Sequence, residues 1–209
     1  MITARNEVLG RIRAALADLP ADGADSEVPR KYRRAHHDTG LVDLFAERAA
    51  DYRAVVRHTL PDELPAVLHA AARVRTLLVP PGVPEKWLRG IEPGRLLLDG
   101  PALTPAVLDA VDAVVVTGCA VAIAETGTVV LDHGPGQGRR MLSLVPDHHL
   151  VVVCADQVVA DVPEALARLD PRRPLTFVSG PSATSDIELT RVEGVHGPRD
   201  LEIVLVSHG

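Results

Sequence analysis

Three short segments hold most of the residues whose types and spacing could do chemistry. In the first, six small or apolar residues, Cys119 to Ala124, run directly into Glu125-Thr126-Gly127-Thr128. A carboxyl at the end of such a run is expected to be partly desolvated. Desolvation raises its pKa and makes it usable as an acid, base or nucleophile. The same pattern equally describes a Glu bonded to the amides of its own turn. In the second segment, Gly134, Gly136 and Gly138 fall within five residues, with Gln137 among them and Arg139-Arg140 behind. Closely spaced glycines let backbone amides approach a ligand in a concavity, and guanidinium groups suit carboxylate or phosphate. A tight turn needing positive φ fits that spacing just as well. The Lys-Ser/Thr ending of a P-loop is missing, and a late G-x-G-x-G is not the dinucleotide fingerprint. The third segment places Gly180-Pro181 before Ser182, Thr184, Ser185 and Asp186. After a parallel strand this reads either as an anion cradle at a helix N-terminus or as hydroxyls that cap the helix.

The candidate ligand contacts are therefore Gly127, Thr128, Gly134, Gly136, Gln137, Gly138, Arg139, Ser182, Thr184, Ser185 and Asp186. Glu125 is the candidate catalytic group. His149 is a second, because it opens an apolar run as either a base or a satisfied core residue. Histidines at His36-His37, His133, His148 and His196 lack the i, i+4 spacing of a known metal site. No metal is expected.

Bulk properties narrow the class. The chain has 209 residues, 46% hydrophobic and 24% charged, as in globular proteins with a sizeable core. Its net charge of −6 has the wrong sign for a phosphate-backbone binder, and only 2% of residues are aromatic, which removes stacking platforms. The basic run Arg30-Lys31-Tyr32-Arg33-Arg34 reads as a short solvated arm. Neither a signal peptide nor an apolar run of ~20 residues is present, so a cytoplasmic protein with no membrane span is expected. The two cysteines, Cys119 and Cys154, form no CxxC or Cys/His cluster and read as small buried hydrophobes. An iron–sulfur cluster takes about four thiolates, more than this chain has.

The elements that must position these residues follow from periodicity. Residues 3 to 19 pattern as an amphipathic helix through Val8, Leu9, Ile12, Leu16 and Leu19, stopped by Pro20. A polar linker spans residues 21–38, and a second helix runs from Leu41 to Tyr52. Helices then alternate with continuously apolar runs: Ala54–Val56, Thr76–Val79, Arg95–Leu98 and Ala113–Val116. That pattern predicts a parallel sheet covered on both faces. The helices between those runs are placed at Pro61–Val74, Pro84–Arg89 and Thr104–Ala110. After Thr117 come two close β runs, Val121–Ala124 and Thr128–Asp132, and a short helix at Arg140–Leu144. A strand at Leu150–Cys154, a helix at Pro163–Leu169, and strands at Thr176–Val178 and Leu201–Val206 complete the reading. Residues 1–40 are read as a helical arm with its linker, and 41–209 as one α/β domain.

Five motifs occur in order: Ala124-Glu125-Thr126-Gly127-Thr128, Gly134-Pro135-Gly136-Gln137-Gly138-Arg139, Leu144-Val145-Pro146-Asp147-His148-His149, Gly180 to Glu188, and Gly194-Val195-His196-Gly197-Pro198. Together they resemble the LUD-domain family, in its C-type lactate-utilization branch, densely from about residue 112 onward. The resemblance implies a Rossmann-like layered sheet with an extra β-rich lobe, as in the NagB/RpiA/CoA-transferase group. It also implies a role beside two iron–sulfur partner proteins that oxidise L-lactate to pyruvate, with the clusters in the partners and no cofactor in this chain. Two other readings stand beside it. One is a regulatory or interaction module. The other is a stand-alone CoA-transferase or sugar-phosphate enzyme using Glu125.

Overall fold

A computed structural model describes residues 4–18, 39–184, 192–193 and 197–207. In chain order it begins with α1 (Ala4–Ala15), α2 (Leu41–Asp51), β1 (Val55–Thr59), α3 (Leu64–Val74), β2 (Thr76–Val79) and β3 (Leu96–Leu98). There follow α4 (Pro105–Ala110), β4 (Ala113–Thr117), β5 (Val121–Ile123), β6 (Thr128–Leu131), β7 (His148–Cys154) and β8 (Val158–Val159). The chain continues through α5 (Val162–Arg168), β9 (Thr176–Val178), β10 (Ala183–Thr184), β11 (Val192–Glu193) and β12 (Asp200–Val206). Two units divide it, residues 1–33 and 34–209. In the first, α1 buries none of its residues, and Val8, Ile12 and Leu16 are about half exposed. Pro20 and the linker expected at 21–38 lie outside the described residues.

The second unit is built on a six-stranded sheet in the order β1-β12-β7-β4-β2-β3, with every neighbouring pair parallel. Strand β4 is buried at all five positions, and β7 is buried at five of seven. Only a sheet covered on both faces lets valine follow valine without alternation. Helix α3 covers one face with Leu64, Leu68 and Ala72, spaced by four so that they share a stripe. Burying a leucine such as Leu68 contributes about 2 kcal/mol. Helix α2 supplies Phe45 and Ala49 to the core on the other face, with Val151, Val153, Ile203 and Leu205.

Side-chain caps set two of the helix starts. Thr104 Oγ1 accepts from Val107 N at 3.4 Å before α4, and Asp161 Oδ1 accepts from Glu164 N at 3.1 Å before α5. A smaller sheet, β8-β5-β6-β9, forms the extra lobe. Its centre is the antiparallel hairpin β5–β6, with β9 antiparallel to β6 and β8 parallel to β5. Two-residue β8 is too short to leave a pattern in the sequence.

One expectation is corrected here. The Ser/Thr-rich segment after β9 does not open a helix at Ser182–Thr184. Instead Ala183–Thr184 forms β10, paired antiparallel with β11. Gly180 takes φ +84 against the Tyr52 carbonyl, and Ser182 N donates to Pro198 O at 2.8 Å. Those contacts extend the backbone there rather than winding it.

Candidate functional site

Strand order locates the natural crevice of the main sheet. The chain leaves β2 for β3 on one side and returns to β4 on the other, so the two connections diverge above the carboxyl ends of these strands. Ligands of open α/β sheets bind at such a switch point. The loops that meet there are Pro80-Pro81-Gly82 after β2, Asp99-Gly100-Pro101 after β3, and Gly118-Cys119 after β4.

The glycine-rich loop 132–139 returns from β6 to this edge and is stitched into it. Gly136 N donates to Pro81 O at 2.8 Å, and Gly118 N donates to Gly136 O at 2.9 Å. A Cβ on Gly82 would lie 2.8 Å from both Gly136 N and Pro135 Cβ, so side chains are excluded where the loops cross. Gln137 is buried. It accepts from Asp132 N and donates to Asp132 Oδ1, both at 2.7 Å. His133 sits at φ 56 with Nδ1 at 3.0 Å from Gly138 O and Nε2 at 2.9 Å from Thr176 Oγ1. Arg173 closes the ring on Asp132 at 2.9 Å. The loop is therefore rigid, and its polar side chains hold one another. Beside it opens a cavity of about 750 Å³ whose walls include Pro81, Pro101, Pro135, His133, Gly134 and Arg139.

Arg139, the candidate anion clamp, forms a bidentate pair with Asp99 and donates to Gly100 O at 3.1 Å and Leu103 O at 3.0 Å. The Asp99 side chain is 4% exposed, so this pair ties the loop after β3 to the glycine loop. Its guanidinium pKa is raised, first of all by the hydrogen bond to Asp99. Removing it would strand a buried carboxylate and two carbonyls. Arg139→Ala is expected to cost about 2 kcal/mol and Arg139→Lys about 1 kcal/mol, read as urea midpoints. An unchanged midpoint for Arg139→Ala would show that the guanidinium does not hold the loops together.

The other candidates lie elsewhere. Glu125 is exposed in the β5–β6 turn, where its N donates to Ala160 O at 3.0 Å. The expected partial desolvation is not met, because the turn projects from the end of the hairpin rather than into the core. Gly127, in the same turn, faces the backbone of α2. Thr128 is buried, with its hydroxyl 2.7 Å from that of Thr126 and 2.8 Å from that of Ser179. The glycine loop leaves the opposite end of β6, whose four residues span roughly 13 Å. Glu125 and Arg139 are thus not brought into one site. Ser182 is half-buried beside β10, and Thr184 lies in that strand. Ser185 and Asp186 lie outside the described residues.

His149 is fully buried in β7, with Nε2 2.8 Å from Thr117 Oγ1 on the neighbouring strand. Its Nδ1 has no partner among the described residues. Burial, with a smaller push from His148, lowers its pKa to about 4. The ring is neutral at ordinary pH and is sealed from solvent.

Sequence reasoning missed Gln157. Its Nε2 donates to Cys119 O at 2.7 Å and its Oε1 accepts from Cys154 N at 2.9 Å, which clamps the loops after β4 and β7 together. Only the position of Gln157, three residues beyond a predicted parallel strand, could have flagged it. Desolvation raises the thiol pKa of both Cys119 and Cys154, so neither is an activated thiolate. Among the described residues no group of three or more His, Cys, Asp or Glu could hold a metal ion. None of the described helices is long and apolar enough to cross a membrane.

A parallel sheet with its switch point plugged by a glycine loop, carrying a mixed four-stranded lobe, defines a Rossmann-like α/β protein with an accessory sheet. The LUD domain matches residues 110–206. Lactate utilization protein C of Deinococcus radiodurans is 46% identical over 98% of this chain and 96% of its own length. The Escherichia coli K12 protein YkgG is 40% identical over 36% of each chain. Among solved structures, a DUF162-family protein from Deinococcus radiodurans superposes with a TM-score of 0.66 at 41% identity. That match covers 84% of this chain and 99% of that one. The chain belongs to the LUD-domain family.

Proposed function

We propose that this chain is the C component of a lactate-utilization system, working beside iron–sulfur partner proteins that oxidise L-lactate to pyruvate. The observation behind this reading is the 46% identity to lactate utilization protein C across nearly the full length of both chains. Oxidising a 2-hydroxy acid removes two electrons, which need an acceptor. With two cysteines the chain lacks the roughly four thiolates of a cluster, and the reading assigns electron transfer to the partners. What this chain contributes is a rigid loop assembly at the sheet edge, with a proline- and glycine-walled cavity that suits a small ligand or a partner's loop.

A stand-alone transferase that used Glu125 together with the glycine loop is less well served. The two stand at opposite ends of β6, and Glu125 is exposed. The test is lactate-dependent dye reduction by the chain co-purified with its proposed partners, compared with a preparation lacking it. Activity is expected to need the chain and to survive Glu125→Gln. Equal activity without the chain would overturn the subunit reading. Collapse with Glu125→Gln alone would move the chemistry to the hairpin turn.

A further inference from the structure

The cavity of about 750 Å³ beside the glycine loop is walled by hydrogen-bond donors that the fold leaves unused. Arg139 commits Nε and Nη2 to Asp99, Gly100 O and Leu103 O, while its Nη1 bonds to nothing among the described residues. The Asp99 side chain is 4% exposed and that of Arg139 is 42% exposed, so the open edge of the guanidinium is the one that carries Nη1. Two amides of lining residues are also unused. Gly100 N, in the loop after β3, and Gly138 N, in the glycine loop, donate to no described residue.

The acceptors are in the opposite state. Pro81 O takes Gly136 N, Gly134 O takes Gln137 N, Gly100 O takes Leu103 N, and Gly138 O lies 3.0 Å from His133 Nδ1. Both Asp99 oxygens are held by Arg139, and His133 Nε2 is engaged with Thr176. Every acceptor on a lining side chain is therefore committed, whereas donors from two loops are open.

A group that only accepts fits such walls, and a carboxylate is one. Its oxygens can take an Nη1 hydrogen and a backbone amide together. Asp99 on the far edge of the guanidinium offsets part of the charge, which suits a monoanion better than a phosphate dianion. The rings of Pro81, Pro101 and Pro135 line the rest, so carbon beyond the carboxylate meets hydrocarbon. An oxygen on the neighbouring carbon of the acid offers the second amide an acceptor. We propose that this cavity binds a small 2-hydroxy or 2-oxo monocarboxylate through Arg139 Nη1 and the amides of Gly100 and Gly138. The carboxylate follows from the donor set, and the 2-oxygen rests on the lactate-utilization reading.

Amide NMR spectra of the full chain, titrated separately with L-lactate and with pyruvate, test it. No partner protein is needed, so this measurement and lactate-dependent dye reduction can fail independently. The Gly100 and Gly138 amide signals are expected to shift saturably with at least one of the two acids. Lactamide, with a neutral amide in place of the carboxylate, should bind about tenfold more weakly, and inorganic phosphate should leave both signals in place. Arg139→Lys keeps a cation for Asp99 but loses Nη1, and should also weaken binding about tenfold. Gly100→Leu should abolish the Gly138 shift at an unchanged melting temperature, because a Cβ there meets nothing within 4 Å and Gly100 does not take positive φ. No saturable shift with either acid, equal binding of lactamide, or a Gly138 shift that survives Gly100→Leu overturns the proposal. Equal binding of propionate, which lacks the 2-oxygen, overturns the part that rests on the lactate-utilization reading.

Discussion

Gly127→Ala is expected to destabilise the protein by more than about 4 kcal/mol and to lower its melting temperature by about 10 °C. Two effects act together. Gly127 has φ +58, where an added Cβ costs about 1 kcal/mol in backbone strain. That Cβ would also lie 2.5 Å from Ala49 N and Arg48 C, and 2.8 Å from Arg48 O. All three atoms belong to the backbone of α2, so no side chain can swing aside, and the hairpin turn must lift off the helix. Lifting it uncovers Phe45 and Ala49, both fully buried. Two other glycines separate the terms. Gly90→Ala, at φ +79 in open space, should lose only the strain, about 1 kcal/mol, and Gly94→Ala, with open space and no positive φ, almost nothing. Thermal scans should rank the losses Gly127, Gly90, Gly94. Equal losses at Gly127 and Gly90 would mean that the turn does not rest on α2.

The second large effect is one of pH. His149 titrates near pH 4 in the folded chain and near its ordinary 6.5 when unfolded. Between those values the unfolded state binds the extra proton. Unfolding is therefore favoured as pH falls, and stability rises with pH through the window. The contribution is complete above about pH 6.5. By pH 4 about 3 kcal/mol of it is lost. Replacing the ring together with its partner, His149→Leu with Thr117→Val, removes both the titrating group and the polar atom it would leave unpaired. Urea midpoints of the double variant should fall less than those of wild type between pH 6.5 and 4. Glu202, held low first by its hydrogen bond to His148 and further by Arg57, adds an acid loss common to both proteins. Parallel curves for the two proteins would show that His149 is not sealed in the sheet.

Both results turn on contacts between residues far apart in the chain, and legibility in the sequence divides along the same line. Continuous apolar runs such as Ala113–Val116 and Leu150–Cys154 announce buried parallel strands, because no other element needs valine on both faces. Helices read at Pro61–Val74 and Thr104–Ala110 from local patterning contain α3 and α4 as folded. The glycine loop was legible as either a ligand-cradling concavity or a tight turn needing positive φ, and Gly136 and Gly138 do take positive φ.

What that loop faces was not legible. Arg139 reads as a free cation until Asp99, forty residues earlier, is folded against it. Glu125 follows six small or apolar residues and reads as desolvated, yet a tight turn carries its side chain out of the lobe. His149 was open between base and core residue, and strand order decides it by setting Thr117 of β4 beside it. The sequence by itself determined most of the strands and helices, with β8 and β10 as exceptions, and where the backbone must be bare, because propensity, periodicity and glycine conformation are local. Only the tertiary structure decided which polar groups pair and which stay exposed. Burial and partnership depend on strand order and loop crossing, which no local window of residues contains.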